Sequence, residues 1–261
     1  PIIVHPEIRK NLMFMKSMND GIRGLMLKAG YAFDIIESDQ NEELTKSSDN
    51  LIALLTPILK SFATDKSMEI TNQALQIYGG HGYITDHGME QLVRDARITP
   101  IYEGTNGIQA LDLIGRKFNI HNGLIINQYL DEINKFLEDN KNIKKLHRFM
   151  NLFNPSYIDL KESIKFIKEI PLNSTQEINS HAVDLLNLFA LVAVGFTWLE
   201  FIHVSITKTE DQDDDFYLAK IQLGEFYLTK VILETQKFRN NILSSGKLYN
   251  EFQDKYFEVG I

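Results

Sequence analysis

The chain has 261 residues, of which 44% are hydrophobic, and its formal net charge is −8 at pH 7. This acidic balance opposes a general nucleic-acid-binding role, because that affinity comes largely from clustered Lys and Arg. The sequence contains no cysteine, which excludes disulfides, Cys-ligated zinc, iron–sulfur clusters and thiol nucleophiles.

Two long helices are predicted for the first third of the chain. Between Pro6 and Ser38, apolar residues recur every three or four positions, which is typical of an amphipathic helix. A second helix is predicted to start near the favoured N-cap residues Ser47, Ser48 and Asp49 and to continue past Leu75. The apolar stripe assigned to the first helix comprises Ile8, Leu12, Met15, Ile22, Met26, Ala29, Phe33 and Ile36.

A glycine-rich segment follows, because seven of the 15 glycines lie between Gly79 and Gly115. We predict a helix end, a glycine turn, a short charged helix and a second turn. Gly79 and Gly80 would let a ligand approach the backbone closely, although a plain helix C-cap explains them equally well. Glu103 stands beside two apolar or amphipathic residues, and partial desolvation would raise the pKa of its carboxyl, as a general base requires. A solvated or capping carboxylate is the alternative.

The remainder of the chain is predicted to be helical, so the expected fold class is all-α. Helices are predicted at residues 124–137 and 156–169, and Ser174 with Glu177 forms a capping-box pattern ahead of a long apolar helix. The acidic run from Asp211 to Asp215 is expected at the N-terminus of a last helical stretch. We divide the chain into two helical units, residues 1–120 and 121–261.

Several polar and aromatic groups have simpler explanations than a functional site. His81, Asp86, His87 and Glu90 resemble a metal cluster only by composition, and we predict no metal site. The residues Arg94, Asp95 and Arg97 are expected to form ion pairs along a short helix. The aromatic residues between Phe216 and Phe238, and Trp198, have the spacing of core side chains rather than of a ligand pocket.

Neither a membrane span nor a signal peptide is predicted. The most apolar stretch, residues 182–206, contains two acidic residues, so its longest uncharged run is Leu185 to Leu199, which is too short to cross a bilayer. The opening at Pro1 lacks the basic start and apolar run of a signal peptide, and we expect the natural N-terminus to lie elsewhere. The absence of cysteine fits a reducing compartment, and we expect a cytoplasmic location.

The ordered string from Gln76 to Arg116 resembles the C-terminal signature of the acyl-CoA dehydrogenase family. It contains the Q-x-x-G-G-x-G-Y turn, the R-D-A-R-I helix, the I-Y-E-G-T-x-x-I-Q turn and the L-I-G-R continuation in the family's order and spacing. The opening I-I-V-H-P-E-I-R-K resembles the start of the family's C-terminal helical bundle. The resemblance covers roughly residues 1–118, and the later helices resemble the extra domain of a larger-subunit branch that includes methylmercaptopropionyl-CoA dehydrogenases.

The resemblance implies an activity and a catalytic residue. In the family, the Glu of Y-E-G-T removes the α-proton of an acyl-CoA thioester while a hydride leaves the β-carbon for FAD, giving the 2-enoyl-CoA. Glu103 occupies this position. Tyr102 and Gly104 would contact the substrate, Gly104 beside the thioester.

The resemblance also implies cofactor contacts and partners. Gln76, Gly79 and Gly80 would lie against FAD of a neighbouring subunit, and Thr105 would approach the flavin of its own subunit. Many relatives have Gln at the position of Gly107, so that FAD contact does not transfer. The implied partners are acyl-CoA, a second copy of the chain in a homo-oligomer, and an electron-transfer flavoprotein or similar acceptor.

Two functions remain open from the sequence. Family members carry an N-terminal helical domain and a central β domain, which supply much of the flavin, CoA and acyl contacts and which these residues do not match. The chain is therefore expected to be either a catalytic portion of a flavoenzyme or a helical oligomerisation module without activity by itself.

Overall fold

The computed structural model describes residues 1–38, 41–119, 123–211, 214–244 and 246–259. Within these ranges the chain forms helices and turns without a β-strand, which confirms the predicted all-α class. The α-helices are α1 (Pro6–Ser38), α2 (Glu42–Tyr78), α3 (Gly80–Tyr83), α4 (Met89–Arg97), α5 (Asn106–Leu111), α6 (Leu124–Asp139), α7 (Lys144–Glu169), α8 (Thr175–Ser180), α9 (Ala182–Asp211), α10 (Asp215–Phe226), α11 (Thr235–Leu243) and α12 (Lys247–Glu251). Short 3₁₀ or π turns lie at Ile2–Val4, Thr85–His87, Asp112–Lys117, Tyr227–Val231, Ile232–Glu234 and Asp254–Glu258.

Helix α1 has the predicted bounds, and its buried face matches the predicted stripe in part: Ile22 is buried as expected. Met26 and Phe33 were assigned to the apolar stripe, yet they are 55% and 54% exposed. The buried face instead contains Gly21, where an added Cβ would lie 2.6 Å from Val194 and 2.7 Å from Trp198 Nε1. A prediction based on apolar side chains does not include Gly21, because a glycine contributes to packing by leaving room for the side chain of its neighbour.

Helix α2 starts earlier than predicted. Asn41 is its N-cap, and the Asn41 side-chain oxygen accepts hydrogen bonds from the backbone N–H groups of Glu43 (3.0 Å) and Leu44 (3.2 Å). The predicted cap near Ser47–Asp49 is therefore wrong, because Asn41 already satisfies the free N-terminal amides more than one turn upstream.

Two boundaries in the second half also differ from the prediction. Helix α7 starts at Lys144 and contains Pro155 in its interior, whereas the predicted helix began only after that proline, where helices usually restart. The capping-box pattern at Ser174 precedes only the six-residue α8, and Ser174 makes no side-chain cap hydrogen bond. His181 separates α8 from the long helix α9. The predicted helix 124–137 is confirmed as α6.

Helix α9 is the centre of the fold. The expectation that this stretch is too short to cross a membrane is wrong, because its Ala182–Thr209 segment is long and apolar enough to do so. However, 83% of its most apolar window is buried inside the protein. A helix that is apolar all round belongs to a core. It packs against α1, α2, α7, α10 and α11, and the complete burial of Trp198 confirms the predicted core role of that residue. The same prediction is wrong for Phe216, which is 60% exposed.

The core is continuous along the chain. Buried side chains before and after residue 120 form one cluster, and Trp198 Nε1 on α9 donates a hydrogen bond to Ser17 O on α1 at 3.1 Å. The predicted boundary at residues 120 and 121 lies outside the described residues, and the division into two units stays a prediction. Residues 212 and 213 of the acidic run are also outside them, while Asp214 caps α10 by accepting from Phe216 N at 2.7 Å.

Candidate functional site

The loop between α4 and α5, residues 98–105, is here named the Glu103 loop. It begins with a tight turn in which Ile101 N and Tyr102 N donate to Ile98 O at 3.0 and 3.2 Å. It closes with a hydrogen bond of 3.2 Å from Asn106 N to Pro100 O. The bond from Asn106 to Pro100 spans Tyr102, Glu103, Gly104 and Thr105, so these four residues belong to one closed turn.

Glu103 has an unusual backbone conformation. Its φ is +53°, and no other described residue apart from glycine has a positive φ. This left-handed region is unfavourable for residues with a Cβ, and holding one there costs on the order of 1–3 kcal/mol. Such residues cluster at active sites and ligand-binding segments. The strain therefore singles out Glu103 within its loop.

Lys60 and Asn106 anchor the Glu103 loop to α2. Lys60 Nζ donates to Gly104 O at 2.6 Å and to Asn106 Oδ1 at 2.9 Å. Asn106 Nδ2 in turn donates to Ser61 O (3.1 Å) and Asp65 Oδ1 (2.7 Å) on α2. The carbonyl group that follows Glu103 is thus fixed by a charged donor on a long helix.

A second contact holds the carbonyl of Glu103 itself. Gln109 Nε2 on α5 donates to Glu103 O at 3.2 Å. Sequence reasoning missed Lys60, Asn106 and Gln109 as supports of the loop. The motif includes Asn106 and Gln109, but nothing in the sequence pairs Lys60 with a carbonyl 44 residues away.

We expect Asn106→Ala to loosen the Glu103 loop. The substitution removes one of the two acceptors of Lys60 and the donor to Ser61 and Asp65, and a hydrogen bond of this partly exposed kind contributes about 0.5–1.5 kcal/mol. Urea unfolding should show that loss, and hydrogen–deuterium exchange of peptides covering residues 98–105 should accelerate. Asn119→Ala is the control, because the Asn119 side chain makes a local bond to Gly115 O. Unchanged exchange in the loop would show that Asn106 does not hold it.

The Glu103 side chain is exposed. The flanking Ile101 and Tyr102 are themselves 46% and 49% exposed, so they do not screen the carboxylate from water. The expectation that local apolar neighbours desolvate Glu103 is wrong for this chain, because those neighbours lie at the surface with it. Desolvation of this carboxylate requires another surface to cover the loop.

The glycine turn, residues 79–82, ends α2. Gly79 has φ +60° and ψ −145°, a conformation open only to glycine, and its N–H donates to Gln76 O at 3.0 Å. Added Cβ atoms at Gly79 and Gly80 would meet no other atom within 4 Å. The turn is therefore a helix C-cap, and open space remains beside it for a ligand. Gln76 is exposed at the same helix end.

The glycine turn and the Glu103 loop are far apart within one chain. The loop is anchored at residues 60–65 of α2, and the glycine turn begins at residue 79. At 1.5 Å per residue, these points are separated by roughly 20–30 Å along the helix axis. The structure therefore brings Tyr102, Glu103, Gly104 and Thr105 together but not with Gln76, Gly79 and Gly80.

The short helix α4 lies between these two regions and packs against α2. Its Arg94 Nε contacts Glu90 Oε2 at 2.7 Å, a hydrogen bond that lowers the pKa of the Glu90 carboxyl and raises that of the guanidinium. The predicted ion pairing is confirmed for Arg94. The His81 and His87 rings lie 5.4 Å apart, and no group of three metal-ligating side chains occurs in the described part of the chain.

Comparisons with known families match almost all of the chain. The model of the acyl-CoA dehydrogenase C-terminal domain matches residues 1–118, and that of the acetyl-CoA dehydrogenase C-terminal like domain matches residues 129–253. The 3-methylmercaptopropionyl-CoA dehydrogenase of Ruegeria pomeroyi is 28% identical over 94% of this chain and 42% of its own length. A butyryl-CoA dehydrogenase of Syntrophomonas wolfei is 25% identical over 89% and 39%.

Two solved structures share the fold. Caenorhabditis elegans ACDH-11 in complex with C11-CoA has a TM-score of 0.75 at 20% identity, covering 98% of this chain and 41% of that one. An acyl-CoA dehydrogenase of Bacillus anthracis complexed with FAD has a TM-score of 0.72 at 17% identity, covering 99% and 45%. The chain thus spans about two-fifths of the length of these relatives.

Proposed function

The chain belongs to the acyl-CoA dehydrogenase family, and from this premise we propose that it is the C-terminal part of an FAD-dependent enzyme that converts an acyl-CoA into the 2-enoyl-CoA. Glu103 is the proposed base. The observation that carries the assignment is the left-handed backbone of Glu103 in a loop that Lys60 fixes to α2. Holding Glu103 in this conformation lowers the stability of the fold, and the carboxylate of Glu103 is the group that it positions.

The chemistry requires a positioned carboxylate. The α-proton of a thioester is weakly acidic, so its removal needs a base in fixed geometry and stabilisation of the developing enolate. The Cα–H bond breaks with its proton passing to a carboxylate oxygen of Glu103, the Cβ–H bond breaks with loss of a hydride, and a C=C bond forms. Bound FAD supplies the hydride acceptor. Tyr102 and Gly104 flank the base and are the proposed substrate contacts.

FAD is proposed to contact the chain at two places. Thr105, two residues after the base, would lie near the flavin in its own subunit. Gln76, Gly79 and Gly80 would contact FAD of the neighbouring subunit, and the open space beside the two glycines leaves room for it. The separation of roughly 20–30 Å between the regions, estimated from the helical rise, supports contacts with two different subunits of a homo-oligomer. An electron-transfer flavoprotein is the proposed acceptor.

Exposure of the Glu103 loop supports the need for further protein around it. Ile101, Tyr102 and Ile108 are each about half exposed, and burial of such apolar groups would be favourable. A covering domain or subunit would also exclude water from the base. The proposed activity therefore belongs to an assembly in which the loop is covered.

The experiment compares the chain alone with the chain joined to the N-terminal remainder of the Ruegeria pomeroyi relative. Each protein is incubated with FAD, freed of unbound cofactor and mixed anaerobically with acyl-CoAs. We expect the joined protein to retain flavin and to lose its oxidised absorbance, and the chain alone to retain little flavin. A folded joined protein that holds flavin but is not reduced by any acyl-CoA would reject the proposed dehydrogenation.

The second candidate function is a helical oligomerisation module without activity. Exposed apolar side chains on α1 favour it, since Met26, Tyr31 and Phe33 are 55%, 68% and 54% exposed. Light scattering on the same samples separates the two functions. A stable oligomer of the chain, together with a joined protein that is folded but unreduced, would favour the module.

A further inference from the structure

A cleft lies between α1, α9 and α10, away from the residues of the Glu103 loop and the glycine turn. Its volume is about 560 Å³, which is within the range of small-molecule sites. The walls are largely apolar and are formed by Leu27, Phe201, Val204, Phe216 and Tyr217.

One end of the cleft carries excess positive charge. Asp20 is 7% exposed and accepts hydrogen bonds from Lys16 Nζ (2.8 Å) and Lys220 Nζ (2.7 Å). Burial works to raise the pKa of Asp20, but the two ammonium groups outweigh it and lower this pKa below its ordinary value. Arg23 lines the same end. Three cations face one carboxylate, in a chain whose net charge is −8.

Lys220 joins the charged end to the apolar walls. Its Nζ lies 5.8, 5.6 and 5.5 Å from the ring centroids of Trp198, Phe201 and Phe216, and the side chain is 19% exposed. The rings and Asp20 hold this ammonium group in place. An anion that reaches it would interact more strongly than with a cation in open water, because the surroundings are apolar and partly dry.

We propose that this cleft binds a small amphipathic anion, specifically a medium-chain alkyl carboxylate. The carboxylate would lie among Lys16, Arg23 and Lys220, and the alkyl chain would lie along the apolar walls. The pairing of a cationic end with an apolar groove selects this ligand class over neutral alkanes, which leave the charges unused, and over short inorganic anions, which leave the walls unused.

The test uses the 261-residue chain and octanoate as the probe. Trp198 is the only tryptophan of the sequence, and its ring centroid lies 5.5 Å from that of Phe201 in the wall. We expect a saturable change in tryptophan fluorescence on titration with octanoate. Octan-1-ol, which has the same chain without the charge, should bind at least about tenfold more weakly. Equal affinity for the two ligands, or no saturable change with octanoate, would overturn the proposal.

Substitutions of one wall residue test the location. Val204 is 53% exposed, and Val183 on the same helix is 54% exposed but does not line the cleft. Val204→Glu should weaken octanoate binding at least about tenfold by charge repulsion, while Val204→Gln and Val183→Glu should change it little. Equal effects of the two Glu variants would place the binding elsewhere.

Light scattering tests whether a second copy of the chain occupies the cleft instead. A dimer that is lost in Val204→Glu and is unaffected by octanoate would identify the second copy as the occupant and overturn the proposal.

Discussion

Glu103→Gln is expected to slow α-proton abstraction by about 10²–10⁴-fold, the usual contribution of a positioned general base. The amide keeps the size and hydrogen-bonding capacity of the side chain but cannot accept the proton. The contacts that hold the loop involve the backbone carbonyls of Glu103 and Gly104, so the variant should fold and retain flavin. Stopped-flow bleaching of the flavin in the joined protein measures the rate.

The control for this substitution is Glu37→Gln, which neutralises an exposed carboxylate on α1. It should leave the bleaching rate unchanged. Exchange of the α-proton for deuterium from solvent gives a second reading that does not depend on hydride transfer. Retention of both rates in Glu103→Gln, with flavin bound, would show that another group is the base.

Trp198→Ala is expected to reduce the free energy of unfolding by about 3–5 kcal/mol, as for other buried aromatic residues cut back to alanine. The indole is fully buried and donates to Ser17 O on α1. It also lies against two glycines, since an added Cβ would be 2.7 Å from Trp198 at Gly21 and 3.0 Å at Gly224. Truncation would therefore open a cavity shared by α1, α9 and α10.

Urea unfolding followed by far-UV circular dichroism measures this loss, because the variant has no tryptophan to observe. Trp198→Phe should cost less, since most of the ring volume remains and only the hydrogen bond and the outer ring are lost. Leu172→Ala serves as the surface control, because Leu172 is 82% exposed, and such changes usually lie within about 0.5 kcal/mol. A similar free energy for Trp198→Ala and Leu172→Ala would refute the structural role given to the indole.

The helices were predictable where side-chain periodicity alone decides the structure. The bounds of α1 and the start of α6 follow from apolar spacing and match the structure. The buried face of α1 was predictable only in part: Ile22 is buried as expected, whereas Gly21 is buried because its missing side chain leaves space for Trp198 and Val194. The start of α7 was missed because Pro155 usually marks a boundary, and here the helix continues through it.

The motif was sufficient to locate the candidate site, but it did not predict the geometry of the site. The order Y-E-G-T identifies Glu103 by resemblance, while the backbone strain of Glu103 appears only in three dimensions. The bond from Lys60 to Gly104 O spans 44 residues and exists because α2 packs beside the loop. Exposure of the carboxylate also depends on tertiary packing, which the apolar character of Ile101 and Tyr102 did not reveal.

The left-handed backbone at Glu103 makes thermal stability and the proposed catalysis place opposite demands on a single position. Glycine adopts that conformation without a Cβ clash, so substitution there would relieve strain while removing the carboxylate. A library screened only for heat resistance is expected to enrich glycine at this position. The variant with the highest melting temperature would then be one that has lost its proposed base, so a melting temperature measured alone would not detect the loss of activity.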